Sequence, residues 1–243
     1  MTNSQDINKN NLHHKDTKIS FDVDNHHYYV DETKITFSVS ELINNYFPKF
    51  DTNHWSKVKA IEFLQELGEP YDDDNIEQKQ NEIIDEWEAK RNEASEKGLI
   101  LHETIEKFYN QEKIDSIPHE FNYFKEFILK YPKLKPYRTE WRIYNDELSL
   151  AGTVDMVYEK ENGELFIFDW KRSTRLVNDA GLLMLSDFKY AFDELSHVAD
   201  NSFNKYAFNG APIIAPPPKP IIAIPVAIPL LSGNHLINVD TGE

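Results

Sequence analysis

Residues 148–171 read LSLAGTVDMVYEKENGELFIFDWK, and this stretch decides the fold class. Two runs rich in β-branched and aromatic residues flank Asn162-Gly163, a pair typical of a hairpin turn. A third such run precedes the turn signal Asn145-Asp146. The sequence therefore predicts an antiparallel meander of strands over 137–144, 148–159 and 165–170.

Helical patterns occupy the chain before the meander. Apolar residues recur at intervals of three and four, the spacing of one helix face. Pro132 and Pro136 end this pattern just before the first strand. We predict helices over 38–47, 55–67 and 121–130, and one or two long helices over 75–109. Helices combined with a meander predict an α/β domain.

Composition sets limits on the class of protein. The chain has 243 residues, with 26 Lys and Arg against 42 Asp and Glu, and 40% hydrophobic residues. That is enough apolar material for the core of one ordinary domain with appendages. The absence of cysteine excludes disulfides and cysteine-ligated iron–sulfur clusters. Residues 1–6 lack the features of a secretory signal, so an intracellular, cytoplasmic protein is expected.

The two ends differ in composition from the middle of the chain. Residues 1–35 are rich in Asn, Asp, His and Lys, which predicts a flexible polar lead-in. Residues 209–243 hold seven of the 12 prolines, which predicts a Pro-rich tail without helix. The same prolines argue against a membrane span over the apolar residues 211–231. The folded domain is therefore placed at 36–208.

Charge is distributed unevenly along the chain. The net charge of −16 argues against a non-specific nucleic-acid coat, which needs clustered Lys and Arg. Residues 123–142 nevertheless hold six basic and two acidic residues, a net charge of +4, with aromatic residues interleaved. This stripe either faces a polyanion or is a helix and strand with solvated lysines. Composition alone favours the second interpretation.

The second hairpin carries the first candidate chemistry. Asp155 and Asp169 both lie about seven residues from the turn centre, so they should lie opposite each other with Cβ atoms about 4.5 to 5.5 Å apart. Two such carboxylates repel unless a cation lies between them, which predicts a metal site or a raised pKa. Lys171 shares a strand face with Asp169. By itself, Asp-x-Lys is more typical of an exposed ion pair at a sheet edge.

A second pattern lies in the long acidic helix. Gly98, His102 and Glu106 recur every four residues, on one helical face. His102 could supply an imidazole ligand, and Glu106 could orient that imidazole. The alternative is a surface histidine in an acidic helix.

Taken in order, these motifs resemble those of the PD-(D/E)XK nuclease superfamily. The order is Gly-x-x-x-His-x-x-x-Glu, a strand Glu, Gly-x-x-Asp and Asp-x-Lys. The likeness is to the RecB-like exonuclease branch, in particular to nucleases of phages and large DNA viruses, and it spans about 36–208. Further similar segments are 38–40, 47–51, 137–141, 151–156 and 169–173.

The resemblance implies a restriction-endonuclease-like core, with a mixed central sheet flanked by helices. It implies a site for one or two Mg²⁺ or Mn²⁺ ions, held by His102, Asp155, Asp169 and the Trp170 carbonyl. Lys171 would be catalytic. The implied DNA-binding residues are Arg138, Arg142, Arg172 and Arg175.

Glu140 has a less direct role in this scheme. Counting through Asn145-Asp146 pairs it near Ala151 or Gly152, about 10 Å along the strand from Asp155. Glu140 would then act through water or a second metal ion.

The expected function is a metal-dependent DNA nuclease, an exonuclease of replication, recombination or repair, with a helicase or recombination partner. The chain departs from the branch after residue 206, where a Gln-x-x-x-Tyr helix is expected and has no counterpart. A catalytically silent nuclease fold that binds DNA or a partner is therefore the alternative. A third interpretation is an acidic scaffold protein with an accidental Asp155/Asp169 pair.

Overall fold

The computed structural model describes residues 6–68, 72–173 and 189–209. Its helices are α1 (Ile7–Asn10), α2 (Val39–Asn45), α3 (Thr52–Leu67), α4 (Asp73–Tyr109), α5 (Phe121–Lys130) and α6 (Ser202–Asn209). Its strands are β1 (Ile19–Asp22), β2 (His27–Val30), β3 (Thr33–Lys34), β4 (Phe37–Ser38), β5 (Lys135–Asn145), β6 (Leu150–Glu159) and β7 (Leu165–Phe168). None of the described helices is both long and apolar enough to span a membrane.

The predicted fold class is confirmed, because helices accompany a sheet of mixed direction. β6 is central: it pairs antiparallel with β5 and β7, and parallel with β4. The helices and the three-stranded meander that the sequence predicts are present, and the single helix α4 covers 75–109. The Pro-rich tail lies outside the described residues, except for Asn209.

The contacts divide the chain into two compact units. One unit comprises residues 1–48 and 100–243, and the other comprises residues 49–99. Helix α4 contributes residues to both units. In the smaller unit, α3 packs on the first part of α4 through Ala60, Leu64 and Ile76, which are buried.

The principal core of the larger unit lies between the helices α4 and α5 and the strands β6 and β7. Its buried members are Leu101, Ile105, Phe121, Phe124, Phe127, Met156, Tyr158, Phe168 and Trp170. Leu101 and Ile105 are on the turns of α4 next to His102, so the packing of this core fixes the position of that histidine.

Residues 6–35 differ from the predicted flexible lead-in. They form α1 and a three-stranded sheet in the order β1-β2-β3. Three apolar residues of this segment are buried: Ile19, Val30 and Ile35 pack against Tyr144 and Ala151 of the main sheet. The polar residues serve turns and caps, as when Asp6 accepts hydrogen bonds from the first amides of α1. A polar composition is therefore compatible here with a folded segment.

A small cluster places the C-terminal helix near the start of β6. Phe208 of α6 packs against buried residues that include Ile43 of α2 and Leu150 of β6. Helix α2 begins with a capping box, in which Ser38 and Glu41 exchange side-chain and backbone hydrogen bonds. This cap fixes the point where β4 passes into α2.

Candidate metal centre

The hairpin of β6 and β7 positions two aspartates as the sequence predicts. Met156 pairs with Phe168, and continuing this register by one residue places Asp155 opposite Asp169. The Asp155 carboxylate accepts a hydrogen bond of 2.7 Å from the backbone N–H of Trp170. Asp155 is therefore fixed by the chain that follows β7.

The hairpin of β5 and β6 brings Glu140 to the same place. Thr139 pairs with Met156 and Trp141 with Val154, so Glu140 lies opposite Asp155. The prediction that Glu140 pairs near Ala151 or Gly152 is therefore wrong. It assumed a turn centred on Asn145-Asp146, whereas the strands are joined by the longer turn 146–149, with Asn145 opposite Leu150.

The His102 imidazole completes the group from α4. Its Nδ1 atom is 3.6 Å from a carboxylate oxygen of Glu140 and 3.6 Å from one of Asp155. Its Nε2 atom is 2.7 Å from the Trp170 carbonyl oxygen. One ligand atom from each of His102, Glu140 and Asp155 lies within 4.8 Å of the others. These three side chains could hold a metal ion.

Asp169 is not a member of that group of three. Lys171 Nζ donates a hydrogen bond of 2.7 Å to Asp169 Oδ1. The other carboxylate oxygen, Oδ2, is buried and has no hydrogen-bond partner among the described residues. Asp169 thus has one oxygen committed to Lys171 and one free to accept a ligand. Glu140, which was expected to act less directly, therefore lies in the group with His102 and Asp155, while Asp169, expected as a ligand, offers one oxygen without a partner among the described residues.

The titration of these groups reflects their mutual charges. Burial opposes the charged form of His102, but Glu140 and Asp155 outweigh it and raise the His102 pKa to about 9. Burial raises the pKa of Asp155 and Asp169. Burial also opposes the charge of Lys171, yet Asp169 and Asp155 keep its pKa above the ordinary value. Without a metal ion, a proton on His102 compensates the carboxylates.

The donor set fits a divalent cation. It offers an imidazole nitrogen and the carboxylates of Glu140 and Asp155. The Trp170 carbonyl oxygen faces the other ring nitrogen of His102. The unpartnered Oδ2 atom of Asp169 is a further oxygen. Oxygen ligands suit Mg²⁺ and Mn²⁺, and imidazole is compatible with Mn²⁺ and with later transition metals. Because the chain has no cysteine, an iron–sulfur cluster is excluded.

Glu106 does not orient His102 as predicted. Both ring nitrogens of His102 face other groups, namely the carboxylates of Glu140 and Asp155 and the carbonyl of Trp170. Burial and the charge of Glu140 instead raise the pKa of Glu106 to about 7. Glu106 is therefore a partly protonated carboxyl group at the edge of the site.

The arginines predicted to bind DNA have different environments. Arg138 is buried: its guanidinium donates to Asp16 at 2.6 Å and to the Asn11 carbonyl at 3.0 Å. The assignment of Arg138 to DNA binding is therefore wrong, because its hydrogen bonds are used inside the protein. Arg172 forms an ion pair of 2.7 Å with Glu120. Arg142 is exposed, and Arg175 lies outside the described residues.

Two tyrosines near the site were not predicted. The Tyr28 hydroxyl is 2.9 Å from Thr153 Oγ1, two residues before Asp155 on β6. The Tyr206 ring of α6 has its centroid 6.0 Å from Lys171 Nζ. Tyr28 belongs to the segment expected to be flexible, and Tyr206 is the last residue before the point where the chain departs from the branch. Neither has a local motif that could have identified it.

No protein-family model matches the chain, and no curated protein has a similar sequence. A functional assignment therefore depends on the geometry of this site.

Proposed function

We propose that the chain is a Mg²⁺- or Mn²⁺-dependent deoxyribonuclease with a restriction-endonuclease-like core. The observation that carries the proposal is the convergence of His102, Glu140 and Asp155 within 4.8 Å. Lys171, which is paired with Asp169, supplies a positive charge in the chain that follows β7. Carboxylates that bind a cation, next to an ammonium group, are the arrangement that phosphodiester hydrolysis requires.

The side chains of His102, Glu140 and Asp155 would hold the cation, and the Trp170 carbonyl, which faces the other ring nitrogen of His102, is the further ligand that the resemblance implies. A bound Mg²⁺ or Mn²⁺ neutralises negative charge on the phosphate and acidifies water. Asp155 is held for this task by the Trp170 N–H. His102 must release its proton before it can act as a ligand.

Lys171 provides the positive charge that the protein itself brings to the phosphate. It remains protonated because Asp169 and Asp155 outweigh the effect of burial. An ammonium group has three N–H donors. The bond to Asp169 Oδ1 uses one of them and fixes the direction of the side chain. The remaining donors can stabilise charge on the phosphate oxygens.

Among the arginines that the structure describes, Arg142 is the best placed to hold a neighbouring phosphate of the DNA strand. It is exposed and lies opposite Thr153, two residues from Asp155 along β6. The positive charge of Arg142 lowers the pKa of Glu106, which lies at the edge of the site, and so opposes the effect of burial there. Arg138 and Arg172, by contrast, are engaged by Asp16 and Glu120.

The test is cleavage of end-labelled linear duplex, single-stranded and circular DNA with Mg²⁺, Mn²⁺ or EDTA. We expect the wild-type protein to cleave at least one substrate with metal and none with EDTA. Asp155→Asn should reduce cleavage to background, because it removes a buried carboxylate of β6, the strand that belongs to both hairpins. Asp146→Asn is the matched control, since Asp146 is an exposed turn residue of the same hairpin.

Cleavage that persists in EDTA, or in Asp155→Asn, would contradict the proposal. DNA binding without cleavage under any metal would favour the alternative, a silent nuclease fold that acts as a binding module. The sizes of the labelled products would distinguish exonuclease from endonuclease action.

A further inference from the structure

The backbone at Glu140 has an unusual conformation. Its φ angle is +44° in the middle of β5, whereas strand residues have negative φ. A side chain with a Cβ atom disfavours this left-handed region, so the conformation persists only where the surroundings hold it. The flanking residues Thr139 and Trp141 both keep regular pairs with β6. The distortion is therefore confined to the residue whose carboxylate enters the site.

Asn8 holds the residue before Glu140. The backbone N–H of Thr139 donates to Asn8 Oδ1 at 2.9 Å, and Asn8 Nδ2 donates to Thr139 Oγ1 at 3.1 Å. Asn110 of the segment after α4 donates to the same hydroxyl at 3.2 Å. Thr139 is almost completely buried, with 1% of its surface exposed. Hydrogen bonds at such a site are costly to break.

Asp16 holds the residue after Glu140. The Trp141 indole N–H donates to Asp16 Oδ1 at 3.0 Å, and the Arg138 guanidinium donates to Asp16 Oδ2 at 2.6 Å. The backbone N–H of His13 donates to Oδ2 as well, at 2.7 Å. Asp16 therefore ties two side chains of β5, one on each side of Glu140, to the N-terminal segment.

Asn11 adds a third connection between the same segments. Its Nδ2 atom donates to the Tyr137 carbonyl at 2.9 Å, and its own carbonyl accepts from Arg138 at 3.0 Å. Residues 6–16, which we call the N-terminal clamp, thus bind β5 from Tyr137 to Trp141. Glu140 is bracketed by these contacts.

We propose that Asn8 and Asp16 of the N-terminal clamp are positioning residues that hold Glu140 in its left-handed conformation, with its carboxylate directed at His102 and Asp155. This inference rests on the proposed metal site. It extends that site to a segment distant in sequence, which supplies no ligand but sets the position of one.

The experiment measures Mn²⁺ affinity by titration calorimetry on the full chain. Asp16→Asn and Asn8→Ala should each weaken Mn²⁺ binding about tenfold, as expected when a group that orients a ligand is lost. Combining Asp16→Asn with Glu140→Gln should give no weaker binding than Glu140→Gln alone, because the clamp acts only through that ligand. The matched control is Asp24→Asn, which removes the same charge from an exposed residue of the N-terminal segment.

A second readout does not need the metal ion. The backbone chemical shifts and the HN–Hα coupling of Glu140 report its φ angle by NMR. In Asn8→Ala and Asp16→Asn, we expect the shifts and the coupling to indicate that Glu140 no longer has a left-handed φ angle. In Asp24→Asn, both should keep their wild-type values. If the wild-type protein binds no Mn²⁺, the proposed function fails, and this readout alone decides the role of the clamp.

Unchanged Mn²⁺ affinity and unchanged Glu140 shifts in both clamp variants would overturn the inference. So would an additive loss in the double variant, which would mean that Asp16 acts independently of Glu140. If Asp16→Asn does not fold, Asn8→Ala decides by the same two criteria. Asn8→Ala removes no charged group and keeps the hydrogen bond between the Trp141 indole and Asp16.

Discussion

The two hairpins that share β6 bring carboxylates to one place by different means. In the hairpin of β6 and β7, Asp169 faces Asp155 across a turn that includes Gly163 at φ +84°. In the hairpin of β5 and β6, Glu140 reaches Asp155 across the longer turn 146–149, in a left-handed conformation. The first arrangement depends on local turn chemistry. The second depends on a distant segment, because Asn8 and Asp16 bind the residues beside Glu140.

Lys171→Ala tests the hairpin of β6 and β7 and should have the largest effect. We expect DNA cleavage to fall by about 10²–10³, because a positive charge next to the phosphate is lost. Mn²⁺ affinity should change little, since Lys171 is not a ligand. Cleavage rates and calorimetry on the same preparation check both statements. Lys113→Ala, an exposed lysine paired with Asp115, is the control. A parallel loss of Mn²⁺ binding would contradict this division of roles.

Glu140→Gln tests the other hairpin. We expect Mn²⁺ affinity to fall by about 100-fold, the upper end of the losses seen around metal ligands. Asp169→Asn should weaken Mn²⁺ binding less, because one oxygen of Asp169 is committed to Lys171. Calorimetric titration of the two variants measures the difference. Equal losses would mean that the hairpins contribute equivalent ligands.

The pH dependence of Mn²⁺ affinity follows from the charge on His102. Its pKa is raised to about 9, and a metal ligand must be the neutral imidazole. Affinity should therefore increase about tenfold for each pH unit up to that pKa, with one proton released on binding. Titrations in buffers of different ionisation enthalpy measure the released proton. The control is His54→Gln, which replaces a histidine of α3 and should leave the pH dependence of Mn²⁺ affinity unchanged. An affinity that does not vary with pH would contradict the proposed role of His102.

Glu106→Gln should produce the smallest effect, and on stability rather than binding. The pKa of Glu106 is raised to about 7, so its charged form destabilises the folded state at pH values above that. Replacement should stabilise the protein by about 1 kcal/mol near pH 8, after allowance for solvent screening, and by little near pH 4. Urea unfolding at both pH values measures this. Glu103→Gln, which loses an ion pair with Lys107, should not stabilise the protein.

The sequence was sufficient for the parts of the site that depend on local patterns. Helix spacing, turn signals and the strand period predicted the α/β class and the opposition of Asp155 and Asp169. The spacing of Gly98, His102 and Glu106 on one helical face drew attention to His102, which is one of the three side chains that could hold a metal ion.

The remaining features depend on contacts between distant segments. The partner of Glu140 depends on the length of the turn 146–149, and moving a turn centre by two residues moves every partner by four. The burial of Arg138 depends on Asp16, more than a hundred residues earlier. Composition gave no indication of the N-terminal clamp, because its polar side chains bind backbone and side-chain groups of β5 rather than water.

Trp170 takes part in the site only through its main chain. Its N–H donates to Asp155 and its carbonyl faces His102, while its indole is buried among the core aromatics. No side-chain replacement can delete either contact, so an alanine scan would record Trp170 as a packing residue and undercount the groups of the site. An amide-to-ester exchange between Asp169 and Trp170 would remove the N–H alone. Such backbone chemistry is the direct way to measure what this residue contributes.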